Sequence, residues 1–178
     1  ASLGAGVMHN RSIEFAKKFA VPIHVRSSFS DVPGTMITAQ PEAVDMPVGG
    51  AALAKDEARV SILGVPDKPG IAYQILGPVA DANIEVDVII QNVSHEGKTD
   101  FSFTVHRNDY ARTMDLLKAS VVPKTGTATL SGDTKICKVS IVGIGMRSHV
   151  GVASKMFSTL SAEGINIQMI TTSEIKTS

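Results

Sequence analysis

Tryptophan is absent from the 178 residues and aromatic side chains make up only 4% of them. A core of large packed rings is therefore excluded, and Val, Ile, Leu, Ala and Met must fill it. One cysteine, Cys137, rules out an internal disulfide. Excess charge is also missing, since seventeen basic residues balance seventeen acidic ones. No general field then draws the chain to a phosphate backbone or an anionic membrane, so neither nucleic acid nor membrane is expected as a partner. No apolar run reaches spanning length and no charged-then-apolar leader is read, so the expectation is a soluble, cytoplasmic chain. Its length suits one ordinary domain or two small ones sharing an interface.

What the chain does contain is a repeat. RVSILGVPDKPGIAYQILGPVADANIEVDVIIQN from Arg59 is answered by KVSIVGIGMRSHVGVASKMFSTLSAEGINIQMITTS from Lys138. Arg59 matches Lys138, Gly64 matches Gly143, Gly70 matches Gly151, Ala72 matches Ala153 and Ile84 matches Ile165, with two extra residues in the turn of the second copy. Two copies indicate a duplicated module and not a solenoid.

In the first copy Val60 to Val65 reads as a buried strand, and Ile71, Ile75, Leu76 and Val79 fall on one face of a helix spanning 70–82. Pro78 inside that helix predicts a kink or a shortened turn. Ile84, Val86, Val88 and Ile90 alternate with Glu85, Asp87, Ile89 and Gln91, the period of a strand with one face on a core. After a His95-Glu-Gly-Lys98 turn, Phe101, Phe103 and Val105 point one way and Ser102 and Thr104 the other, which predicts a hairpin. Asn108 and Asp109 can cap a helix burying Tyr110, Met114 and Leu117, and 128–130 reads as a closing strand before a Ser131-Gly-Asp turn. The order βαββαβ is α+β and ferredoxin-like, an antiparallel sheet with both helices on one face.

The second copy has a helix and a strand over 165–170 and then stops early. Ahead of the repeat, Asn10-Arg-Ser12 can cap a helix through Phe15 and Phe19, followed by a strand over 21–25. The expected organisation is a tail over 1–30, a Pro- and Gly-rich linker with one strand over 31–58, a first module over 59–133 and a truncated second over 134–178.

Val65-Pro-Asp-Lys-Pro-Gly70, Gln91-Asn-Val-Ser94, Val142-Gly-Ile-Gly-Met-Arg-Ser-His149 and Thr172-Ser-Glu-Ile175 together resemble the regulatory region of aspartate kinases, with its tandem ACT modules. Ser12 to Phe29 further resembles the last helix and strand of that family's kinase domain. The resemblance implies allosteric control of aspartate phosphorylation by threonine or lysine, a dimer, and a full-length aspartate kinase chain as partner. Kinase motifs are absent, so no cofactor is expected here, and ATP and Mg would belong to the kinase domain. The short strand near 35–38 is implied to complete the second module, placing the first module inside it.

A free amino acid needs N–H donors for its carboxylate and oxygen acceptors for its ammonium. Gly70, Ile71 and Ala72 open a helix whose unpaired N–H groups favour an anion. Asp67, Glu85 and Asp87 could hold an ammonium, and Gln91 can both donate and accept. From the residues alone, Asp67-Lys-Pro-Gly70 serves equally as a capped turn, and Glu85 and Asp87 as solvated acids. The resemblance implies effector roles for Asp67, Lys68, Pro69, Gly70, Ile71, Ala72, Glu85, Val86, Asp87 and Gln91, and for Val152, Ala153, Asn166 and Ser173 in the second copy. There Asn166 and Gln168 replace Glu85 and Asp87, so the two copies cannot bind alike.

Other readings are weaker. A non-sensing dimerisation module is the alternative. An enzyme using Asp67, Glu85 and His149 lacks any nucleophile–base pair. Gly143-Ile-Gly145 lacks the third glycine of a nucleotide fingerprint, the histidines show no metal-like pairing, and Met146, Met156 and Met169 read as core filler.

Overall fold

The first helix starts one residue earlier than Asn10-Arg-Ser12 suggested, because His9 Nδ1 accepts the Arg11 N–H at 3.3 Å and caps it. The computed structural model describes residues 8–38, 48–93, 97–126, 129–143, 151–172 and 176–177. Helix α1 (Asn10–Lys18) closes on Lys17 and Lys18, cations at the negative end of the helix dipole. Strands β1 (Ile23–Val25) and β2 (Thr35–Ile37) then pair antiparallel, Ile23 opposite Ile37. Strand β3 (Gly50–Ala54) follows, so the stretch 31–58 holds more than the single strand expected. The chain divides into two units, Ala54–Lys138 and the flanking Ala1–Leu53 with Val139–Ser178.

In the unit Ala54–Lys138, β4 (Glu57–Pro66) buries Ala58, Val60, Ile62 and Val65 completely. Its alternation is reset by a bulge, with Ile62 opposite Phe101 but Val65 opposite Thr99. Gly64 supplies the left-handed residue there (φ +71), and its N–H donates to Asp100 Oδ1 at 2.8 Å. Helix α2 (Ile71–Asp81) sets Ile71, Ile75 and Val79 into the core, while Leu76 is half-buried. Each fully buried aliphatic of this kind contributes about 1.5–3 kcal/mol. The helix runs on through Pro78, which lacks only the N–H that would reach Gln74. It ends where Asn83 turns left-handed (φ +53) and the Ile84 N–H returns to the Val79 carbonyl at 3.1 Å.

Strands β5 (Val86–Val93) and β6 (Lys98–His106) form the expected hairpin; His95 and Glu96 of its turn lie outside the described residues. The expected alternation along β5 is corrected. Val86 opposes Val105, but Ile89 opposes Phe103, so one extra residue bulges between them and reverses the faces beyond it. Ile89 and Gln91 consequently share the face of Phe103 and Phe101, and Ile90 shares that of Ser102. Thr104, on the face away from the core as expected, is nevertheless buried. Its Oγ1 accepts the bulged Val88 N–H at 3.1 Å.

After a 3-10 turn at Arg107–Asp109, α3 (Tyr110–Ser120) buries Leu117 and half-buries Tyr110 and Met114. No Asn108 or Asp109 side chain caps it; His106 Nδ1 instead accepts the Asn108 N–H at 3.3 Å. A short α4 (Val122–Thr125) leads to β7 (Thr129–Asp133). Ser131, Gly132 and Asp133 therefore continue the strand and do not turn, pairing with Ser61, Val60 and Arg59. Glycine is required at 132 because the Tyr110 ring crosses its backbone. The sheet order β5-β6-β4-β7 with two crossing helices is the ferredoxin-like βαββαβ arrangement.

In the flanking unit, β3, β8 (Lys138–Val142) and β9 (Lys176–Thr177) form a three-stranded sheet. The neighbours of β8 are thus β3 and β9, and not the strand near 35–38, which pairs with β1. Helix α5 (Val152–Ala162) begins after Gly151 (φ +95), as α2 begins after Gly70 (φ +89). It also ends like α2, with Gly164 left-handed and the Ile165 N–H on the Leu160 carbonyl at 2.9 Å. The strand expected over 165–170 does not form, and Ile165 and Ile170 are exposed. Val152, Met156 and Leu160, the counterparts of Ile71, Ile75 and Val79, are only half-buried.

Candidate amino-acid-binding site

One end of the first sheet gathers the end of β4, the start of β6 and the end of β5, since Pro66 opposes Lys98 and Val93 opposes Thr99. From that end the chain turns into α2. The Asp67 N–H donates to the Gly97 carbonyl at 2.8 Å, and the Ile71 N–H reaches the Lys68 carbonyl at 3.2 Å. These bonds hold Asp67, Lys68, Pro69 and Gly70 as an exposed loop, with Ile71 anchored in the core at 3% exposure and Ala72 half-buried. Gly70 permits the left-handed turn directly before the helix, and no side chain caps α2. The first-turn N–H groups of Ala72 and Tyr73 have no intrahelical acceptor and sit at the positive end of the dipole. Such a start can receive a carboxylate.

The β5 bulge bears on this site. Without it Gln91 would face away from the helices; with it, Gln91 opposes Phe101 and lies on the helix-bearing face, towards the end where α2 begins. Gln91 is exposed, as is Asp67. Donors and one carboxylate thus share this end of the module, while Gln91, level with Ile62 and one strand removed from β4, lies on the same face but short of that end.

Glu85, Val86 and Asp87 do not join them. In the βα crossover β5 runs parallel to β4, so the start of β5 lies at the level of Ala58, opposite Val105, and away from Pro66. At about 3.3 Å per residue the separation is about 25 Å. Asp87 is instead paired with the Lys138 ammonium, which also meets Glu57 Oε1 at 2.7 Å. Within one module the ammonium partner near α2 is therefore Asp67 alone among the three acids expected. In the second copy Val152 and Ala153 open α5 half-buried, Asn166 is exposed, and Ser173 lies outside the described residues, as do Gly145, Met146 and His149.

Two groups escaped the sequence reading. Lys138, matched to Arg59 only as a repeat position, holds two acids far away in sequence, and Arg107 donates to the Lys55 and Ile136 carbonyls. The pairing of basic residues at the head of both strands was the one available signal. Among the described residues no group of His, Cys, Asp and Glu could hold a metal, and no helix is long and apolar enough to cross a membrane.

Comparison with known proteins agrees with this fold. Residues 58–121 and 139–178 each match an ACT domain model. The aspartokinase of Pseudomonas aeruginosa is 54% identical over 181 residues, covering all of this chain and 44% of that protein. The chain thus spans less than half the length of the curated relatives it matches. A crystal structure of aspartokinase alpha and beta subunits is 62% identical with a TM-score of 0.67, covering 73% of this chain and 84% of that one. The ligand-free regulatory subunit of aspartate kinase from Thermus thermophilus is 36% identical with a TM-score of 0.69, covering 74% of this chain and 86% of that one. With two ACT matches and close identity to subunits of nearly its own extent, the chain belongs to the aspartokinase family and corresponds to the regulatory part of those enzymes.

Proposed function

We propose that this chain senses an end-product amino acid, threonine or lysine, and through it controls ATP-dependent phosphorylation of aspartate by the catalytic part of a cytoplasmic aspartokinase. The observation that carries the reading is the uncapped start of α2, with Asp67 beside it and Gln91 on the same face. In this reading the α-carboxylate takes the N–H groups of the first turn, the ammonium takes Asp67, and Gln91 tests the side chain. A second site at the start of α5, with Ser173, has the neutral Asn166 and Gln168 where the first copy has Glu85 and Asp87, and binds differently. Paired modules of two chains share the effector, and residues 8–30 pack with the kinase domain; Phe15, Phe19 and Phe29, 61%, 63% and 97% exposed, are suited to such cover. A coupling of about 1–3 kcal/mol, roughly 5–150-fold in affinity, suffices for control.

The test is calorimetric titration of the 178-residue chain with threonine, lysine and methionine, with its association state followed by sedimentation. Saturable binding of threonine or lysine that is lost in Asp67→Ala supports the sensor. An intact dimer binding none of them points to the dimerisation module instead.

A further inference from the structure

At the end of the first module remote from α2's start, charged groups tie together the segments through which the chain enters and leaves it. Arg107, just after β6, receives both. Its N–H donates to the Asp56 carbonyl at 2.6 Å, and its guanidinium donates to the carbonyls of Lys55 and, at 3.1 Å, Ile136. Lys138 adds a second tie, its ammonium meeting the carboxylates of Glu57 and Asp87. The Lys138 and Glu57 side chains are only 20% and 12% exposed. Screening is weak between these two, while Asp87 is 41% exposed and its pair with Lys138 is more open to solvent.

The position of Asp87 gives this knot a further meaning. It lies within the β5 bulge, between the Val86–Val105 and Ile89–Phe103 pairs, and among the described residues β5 has a strand neighbour on one side only. The same strand carries Gln91, and Lys138 is the first residue of β8. A bulged edge strand is the least constrained part of a sheet, since an extra residue there can be redistributed without breaking the ladder on both sides.

Resting on the binding reading above, we infer that the Asp87–Lys138 pair is the link by which occupancy beside Gln91 reaches β8. A ligand drawing on Gln91 shifts β5 along its only neighbour, the bulge takes up the shift, and Asp87 moves relative to Lys138. Two discrete arrangements, pair made and pair parted, supply the bistable element that coupling requires.

Amide hydrogen exchange on the 178-residue chain, with and without saturating L-threonine or L-lysine, tests this. In the wild type the active amino acid is expected to change exchange about fivefold or more at both α2 and β8. In Lys138→Met the change at α2 persists and that at β8 is lost. Asp87→Asn, which keeps the shape and removes the charge, gives the same split and decides the matter if Lys138→Met fails to fold. An effect at β8 that survives in Asp87→Asn overturns the link while leaving binding intact. No change at α2 in the wild type with either amino acid overturns the binding reading, and the link with it.

Discussion

Tyr110 crosses Gly132 so closely that a Cβ built at residue 132 would stand 2.6 Å from its Cε2 and 2.9 Å from the Arg59 carbonyl oxygen. Gly132→Ala must displace either α3 or β7, and overpacking of this kind costs about 1–3 kcal/mol. Urea denaturation should show that loss. In Gly132→Ala/Tyr110→Ala the cost should fall short of the sum of the single changes, since the second removes the obstacle to the first. Additive costs would mean that the contact with Tyr110 is not what keeps glycine there.

Gly70 poses a different constraint. A Cβ there would meet nothing within 4 Å, yet φ is +89. The penalty of Gly70→Ala is therefore conformational, about 1–2 kcal/mol. At Asn83, left-handed at the other end of the same helix (φ +53), Asn83→Gly should be close to neutral and Asn83→Ala should cost about 1 kcal/mol. Thermal melts of the three variants give the ranking; an Asn83→Ala as stable as the wild type would contradict the left-handed assignment.

The two copies of the repeat should respond unequally to truncation. Ile75 is fully buried, and Ile75→Ala is expected to cost about 2–5 kcal/mol. Met156 is its counterpart but is half-buried, so Met156→Ala should cost less than half as much. Equal losses would show that α5 is as well covered as α2.

Arg112 donates from Nη2 to the Ala82 carbonyl at 2.8 Å, satisfying one of the open carbonyls at the end of α2. Arg112→Ala should cost about 0.5–1.5 kcal/mol. Its local signature should be faster amide exchange in the last turn of α2, with the first turn unaffected.

What the sequence made legible were the features with strong local causes. The helices of both repeat copies, Val60, Ile62 and Val65 of β4, and Phe101, Phe103 and Val105 on one face of β6 stand where the pattern put them, whereas Leu63 within the run read as buried is 38% exposed. The β5 bulge was hidden because Ile89 and Ile90 are both apolar, so no alternation could say which of them faced the core. Strand β3, Gly-Ala-Ala-Leu-Ala, carries no β-branched residue and forms because β8 offers it a neighbour. Ser131-Gly132-Asp133 has the composition of a turn, and only the Tyr110 ring explains its glycine within a strand. At the candidate site the α2 start could be read from Gly70. The separation of Asp87 from it could not, because it depends on the direction of β5 relative to β4.

A straight, unpaired sheet edge is a template on which any extended chain can add, and neighbouring molecules can stack on it without limit. The bulge in β5 breaks that template. Its surplus N–H, that of Val88, is already taken by Thr104, and the charge of Asp87 stands at the break. An incoming strand therefore finds a regular row only beyond the bulge, and slipping along the edge drives it into the irregular step. The same extra residue that turns Gln91 towards the helices thus interrupts the regular row of this edge and resists open-ended aggregation along it.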